Sequence, residues 1–303
     1  MSQARNLQGQ ISPATGKPYS IDLILDVMEI PRSTYYDRVS SRPASPLQVQ
    51  KRGPKTSHSD LEVVQAIREI LAEPMFSGEG HRKVTARLGL KEMYIGKNRV
   101  LRLMRIHGLL APVRKYRIAQ KRIHDGRIIT DRPNEMWGGD ITEVMTEEDG
   151  KVYIFDMIDH CTAEVIGAYV TTNGNRFSAI NCLHEAMKGQ LDEVKKDKGR
   201  GIKLRLDHGT QFTSKRYVNE AHHLCFELSY SFVGQPECNG IIERWHRTLK
   251  EQVLWTRSWK TVKEVKTAVL SFVEKYNENW LLGRHGYVSP LKYKQSLANK
   301  AVA

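Results

Sequence analysis

The chain has 303 residues, 40% hydrophobic and 27% charged, with 47 Lys and Arg against 34 Asp and Glu for a net charge of +13. That length suggests about two domains, and no apolar run approaches the ~20 residues of a membrane-spanning helix. The N-terminus, MSQARNLQGQISPATGK, lacks the apolar core of a signal peptide, and the four cysteines form no CxxC pair, so we expect a cytoplasmic protein with neither a disulfide framework nor a zinc knuckle.

Charge is unevenly spread along the chain. Residues 1–130 hold 23 basic and 11 acidic side chains, whereas 131–303 hold 24 and 23. Residues 80–127 carry 14 basic residues against Glu92 and Asp125. A one-sided segment of this kind reads as a polyanion-binding module, nucleic acid foremost, over a merely solvated surface.

Residues 1–50 form an N-terminal helical segment. Leu23, Ile24, Val27 and Met28 recur at helical spacing, and Ser33 after Pro31 reads as the N-cap of a second short helix. Prolines and serines over 40–59 have linker composition, with the linker proper at 51–59. Residues 60–112 read as three helices. Asp60 caps the first, with Leu61, Val64, Ile67, Ile70 and Leu71 on one face. The second, near 81–88, turns Val84 and Leu88 inward. The third runs from Lys97 to His107, with Val100, Leu101, Leu103 and Met104 inward and Asn98, Arg102 and Arg105 opposite. A helix-turn-helix-like unit with arginines on its last helix suits major-groove docking, and a small bundle with a basic surface is the plainer alternative. Residues 113–130 form a basic connector in which Arg114, Lys115, Arg117, Lys121 and Arg122 suit phosphates.

From 131 to 295 the pattern changes. Strands are predicted at 137–146, 152–159 and 164–171, the first two joined by the turn EEDG. A helix over 175–190, a strand at 202–206, a helix near 214–224 and a strand near 226–230 follow. Helices close the series near 240–255 and 261–279. A hairpin meander followed by strand–helix alternation predicts an α/β mixed sheet flanked by helices. Three carboxylates stand out: Asp140 inside the first strand, Asp207 directly after the strand IKLRL, and Glu243 early in a helix. Each is costly to bury alone. Asp156 and Asp159 compete with Asp140 as ligands. Glu243, Arg247 and Lys250 share a helix face away from Ile241, Ile242, Trp245 and Leu249. That spacing fits a weak surface salt bridge of about 0.2–0.5 kcal/mol, or a metal-holding carboxylate beside phosphate-holding cations.

Asp207 and Glu243 are separated by 35 residues. With GHRKVTARL, NRVLRLMRIHGL, WGGDIT, DHGTQFTS, GQPECNGIIERWHRTLK and YNENWLLGRHGYVSP in order over about 60–295, the chain resembles the DDE transposases of the retroviral-integrase superfamily. More closely, it resembles the second-reading-frame product of the insertion-sequence-three family of bacterial transposases. The resemblance implies a ribonuclease H-like core, Asp140, Asp207 and Glu243 as catalytic and metal-binding triad, two Mg2+ (or Mn2+) ions, and Lys250 on substrate DNA. Lys97 and Arg247 join the DNA-contacting set, and Gly234, Pro236, Asn239 and Gly240 match a flexible loop before the catalytic helix. It also implies nicking and 3′-hydroxyl strand transfer on double-stranded terminal repeats and target DNA. The working form is then at least a dimer, with an upstream reading-frame product fused or associated. Two positions depart from the family pattern: Gly139 where Thr is frequent, and Leu206 where Ser is. We expect Trp137 and Trp245 in the core, His208 as a hydrogen-bonding neighbour of Asp207, and Tyr276, Asn277, Arg284 and His285 tying the last helices to the sheet. The alternatives are a DNA-binding regulator with an inactive core and a ribonuclease H-like nuclease.

Overall fold

A computed structural model describes residues 2–39, 57–76, 78–112, 130–231 and 240–302, and the chain divides into units 1–57 and 58–303. The first unit holds helices α1 (Ser2–Gln8), α2 (Ile21–Val27) and α3 (Arg32–Val39). Ser20 caps α2 by accepting from the Leu23 N–H. Ala4, Ile24, Leu25 and Tyr35 make its small core. The predicted stripe is corrected here: Leu23 and Val27 are 52% and 76% exposed, and Leu25 is buried. A helix of two turns leaves its inner face undecided by spacing alone, and packing against α1 decides it. Ser33 lies inside α3, one residue past its start, and is not the cap.

The second unit opens with α4 (Asp60–Ala72), α5 (His81–Leu90) and α6 (Lys97–Ile106). Ser59, not Asp60, caps α4, in a reciprocal capping box with Glu62. That frees the Asp60 carboxylate to bind Arg99 and Arg102. The buried stripe is Val63, Val64, Ala66, Ile67 and Ile70, meeting Val84, Leu88, Val100, Leu103 and Met104. Leu61, expected inward, is 79% exposed, because it precedes the face that α5 and α6 cover. Buried Arg87 pairs with buried Glu79 and donates to the Asn279 carbonyl at 3.3 Å. Lys83 lies 3.7 Å from the Trp280 ring centroid. These contacts seat the three-helix module on the end of α11.

Beyond it, β1 (Met136–Thr146), β2 (Gly150–Asp159), β3 (Val165–Thr171), β4 (Lys203–Leu206) and β5 (Glu227–Tyr230) form one sheet in the order β3-β2-β1-β4-β5. The first three pair antiparallel, and β4 and β5 add parallel to β1. Gly150 supplies the left-handed residue of the β1–β2 turn, at φ 69°. One face carries α7 (Arg176–Leu191), α8 (Thr210–Thr213) and α9 (Lys215–His223), packed on Trp137, Phe155, Met157, Leu204 and Leu206. The other carries α10 (Gly240–Leu249) and α11 (Val262–Asn279), packed on Val152, Ile154 and Ile158. A π-helical turn, Lys250–Leu254, extends α10, and α12 (Pro290–Val302) ends the chain. This is the ribonuclease H-like arrangement. Among the described residues no helix is long and apolar enough to cross a membrane.

Candidate active site

Strand alternation decides which side chains meet. Asp140 on β1 lies directly opposite Asp156 on β2, and Gly138 lies beside Arg205 on β4. Asp140, Asp156 and Arg205 therefore share the face that α10 covers. Gly139, Met157 and Leu206 face α7. Asp140 Oδ1 accepts from the Ile141 N–H at 2.7 Å. Asp207, half-buried just past the end of β4, accepts from the Gly209 N–H at 3.0 Å. Glu243 stands in the first turn of α10.

Asp207 and Glu243 both lie within reach of the Asp140 charge. Burial pushes the Asp207 carboxyl above its usual range and the charge of Asp140 adds to this, against the Gly209 N–H and His208. Desolvation likewise raises Glu243, again with Asp140 adding, while Arg247 and His246 pull it down. Among the described residues no three His, Cys, Asp or Glu are close enough to form a closed metal cage. The donor set is nonetheless all carboxylate oxygen, the chemistry that hard divalent cations take.

Neighbouring acids are committed elsewhere. Asp159 accepts from the Asn134 N–H and from the Thr162 N–H and hydroxyl. Asp156 accepts from His246 Nε2 at 3.0 Å, and His246 Nδ1 lies 3.3 Å from Asp140 Oδ2. Burial works against a charge on His246, but the two carboxylates outweigh it and raise its pKa to about 9. Sequence reasoning missed His246. A signal existed: counting back from the EEDG turn sets Asp140 against Asp156, and His246 follows Trp245 on the buried side of α10. It missed Arg205 too, which is buried and donates to the Ser229 hydroxyl at 2.8 Å.

Lys97, Asn98, Arg102 and Arg105 are exposed on α6, and Arg247 on α10. Arg102 is engaged with Asp60 at 2.8 Å, and Arg99, more buried, with Asp60 and the His58 carbonyl. Lys250 is half-buried at the first residue of the π turn, and Gly240 opens α10. Arg114, Lys115, Arg117, Lys121, Arg122, Gly234, Pro236 and Asn239 lie outside the described residues. Trp137 and Trp245 are core residues. His208 Nε2 bonds the Ser231 carbonyl at 2.8 Å, and its ring stacks on Tyr230. Asn277 accepts from the Val165 N–H and donates to its carbonyl, closing the free edge of β3. His285 bonds the Thr162 carbonyl.

The two departures from the family pattern explain each other. A Cβ built on Gly139 would meet Leu206 Cδ2 at 2.7 Å and Met157 Sδ at 3.1 Å. The residue before the first aspartate is small because the residue before the second is large.

The integrase core domain family matches residues 130–236 and, through a second model of that description, 224–290. The HTH-like domain family matches residues 58–117. The chain therefore belongs to the integrase-core proteins of the DDE superfamily and is a polynucleotidyl transferase with a DNA-binding helical module. The transposase InsK of insertion sequence IS150 from Escherichia coli K12 is 27% identical over 287 residues, covering 91% of this chain and 94% of its own. The IS629 transposase of Shigella sonnei is 26% identical, covering 74% and 77%, and the IS904 transposase of Lactococcus lactis 24%, covering 76% and 96%. The catalytic core domain of BIV integrase aligns with 56% of this chain and 99% of its own, at 17% identity and TM-score 0.41. Among the integrase-core proteins, the chain is a bacterial insertion-sequence transposase of the insertion-sequence-three, second-reading-frame type. Membership of the DDE superfamily carries dependence on a divalent metal.

Proposed function

We propose that the chain nicks the ends of its insertion sequence and joins the freed 3′-hydroxyls to target DNA, with Asp140, Asp207 and Glu243 as catalytic triad. The observation that supports this is placement: Asp140 stands on β1, Asp207 follows the end of the neighbouring parallel strand β4, and Glu243 opens α10, which packs over the same face of the sheet. The triad would hold two Mg2+ or Mn2+ ions, which neutralise charge at the attacked phosphate and activate the attacking oxygen. Arg247 and Lys250, following Glu243 on α10 and its π turn, hold DNA phosphates. Residues 60–112 read the terminal repeat through Lys97, Asn98, Arg102 and Arg105, and 113–130 track the backbone to the core at 131–295 with Arg114, Lys115, Arg117, Lys121 and Arg122. Gly240 opens α10 and does not belong to the loop expected before it, and Gly234, Pro236 and Asn239, outside the described residues, precede it. Joining two ends calls for at least a dimer, with an upstream reading-frame product as fusion or associate, acting in the bacterial cytoplasm.

The test is a labelled duplex bearing the terminal repeat, incubated with the full chain in Mg2+ or in EDTA. Mg2+-dependent nicking that disappears in Asp207→Asn and Glu243→Gln, while DNA binding persists, is expected. Nicking retained by either variant refutes the triad.

A further inference from the structure

We infer that His246 is a positioning residue for Asp140, itself held by the buried Asp156. This rests on the triad reading above. Asp156 is a fully buried carboxylate with one oxygen on His246 and the other without a hydrogen-bond partner among the described residues. Nothing else in the site uses it. Two carboxylates directly opposite on an antiparallel pair repel, and a ring between them resolves the repulsion only by bonding both. His246 does so, through Nε2 at 3.0 Å and Nδ1 at 3.3 Å.

The consequence for Asp140 is orientational. Its Oδ1 accepts from the Ile141 N–H and its Oδ2 faces the ring at 3.3 Å, so turning the carboxyl plane gives up both contacts. Groups that bond to a metal-binding carboxylate set its direction, and their removal costs about 10–100-fold in metal affinity. His246 also lies three residues after Glu243 on α10, so one bond locks the helix carrying one acid to the strand carrying another. Asp156 keeps the ring from following Asp140 out of place.

The experiment measures Mn2+ binding to the full chain, without DNA, by calorimetry. The paired variant Asp156→Val with His246→Leu replaces the buried charges by apolar side chains of similar volume, so its unfolding midpoint should hold or rise. We expect its Mn2+ affinity to fall about tenfold or more, and His246→Gln, which keeps a donor, to recover part of the loss. Binding as tight as wild type, or tighter, in the paired variant overturns the inference. Asp140→Asn serves as the reference: if it binds Mn2+ like wild type, the triad reading fails instead. A measurement on the unmodified chain guards against a variant that does not fold. The His246 ring resonances should shift as Mg2+ is added to saturation, and ring resonances that stay fixed overturn the inference.

Discussion

The contact between Gly139 and Leu206 allows a quantitative test of how the sheet sets the site. Threonine at 139 places a Cβ 2.7 Å from Leu206 Cδ2 and 3.1 Å from Met157 Sδ, with a branched side chain beyond it. Leu206 is fully buried between β4 and α7, so it cannot swing into solvent. Overpacking of this kind costs about 1–3 kcal/mol. Leu206→Ser alone opens a cavity and strands a hydroxyl, at a cost of about 2–5 kcal/mol by analogy with buried Leu→Ala changes. In the double variant the threonine side chain enters the space the leucine leaves. The two costs should then fall short of additivity by about 1–3 kcal/mol.

Urea unfolding of the four proteins, followed by tryptophan fluorescence, reads the cycle. For a unit of this size each kcal/mol also moves the thermal midpoint by about 2–4 °C. Nicking should follow the same order, because Asp140 is the next residue along β1 and Asp207 the first residue past the end of β4. The double variant should recover activity that Gly139→Thr loses. Additive costs, within about 0.5 kcal/mol, would mean that the two positions do not share one space, and the explanation of both departures would fall.

Other outcomes follow from single contacts. Arg87→Met leaves the buried Glu79 carboxylate with Lys83, 3.7 Å away, as its remaining cation and should cost up to about 3 kcal/mol, whereas Arg87→Met with Glu79→Leu should be close to neutral in the same urea assay. Arg105→Ala, on the exposed face of α6, should weaken DNA binding and flatten the salt dependence of log K by about one. Arg99→Ala, whose guanidinium is spent on Asp60 and the His58 carbonyl, should lower the melting temperature instead. His246, with its folded pKa raised to about 9, gives stability that is complete below its unfolded value near 6.5 and lost as pH rises through 9. His285 acts in the opposite direction: burial, with Arg284 nearby, lowers it to about 4, so its contribution is present above 6.5 and lost as pH falls toward 4. Melting temperatures of wild type and His285→Asn from pH 4 to 7 should converge at the acid end.

The sheet was legible in the sequence because its strands declare themselves two ways. IKLRL alternates, and EEDG with a glycine at φ 69° closes a hairpin whose register then follows by counting. The short helices were less legible. Two turns of α2 offer several equivalent faces, and only the packing of α1 and Tyr35 picks the one with Leu25 inside. Asp60 was misread for a related reason: either of two adjacent polar residues can cap α4, and the choice depends on Arg99 and Arg102, which lie about forty residues on.

The acids show where counting along the chain stops being enough. Spacing and flanking motifs single out Asp140, Asp207 and Glu243, but Asp156 and Asp159 look equally suited on β2. Occupancy separates one and burial the other. Asp159 is saturated by Asn134 and Thr162, and Asp156 is sealed from solvent behind a histidine supplied by a helix ninety residues later. A carboxylate that is filled by the protein or closed off from solvent has little to offer a cation, whereas Asp207 keeps one bond, from Gly209, and stays half-buried. The same accounting makes His246 more than a core residue. It takes one strand aspartate out of competition and holds the other still, so the choice of ligand among adjacent acids is made by a residue from the helix that carries Glu243.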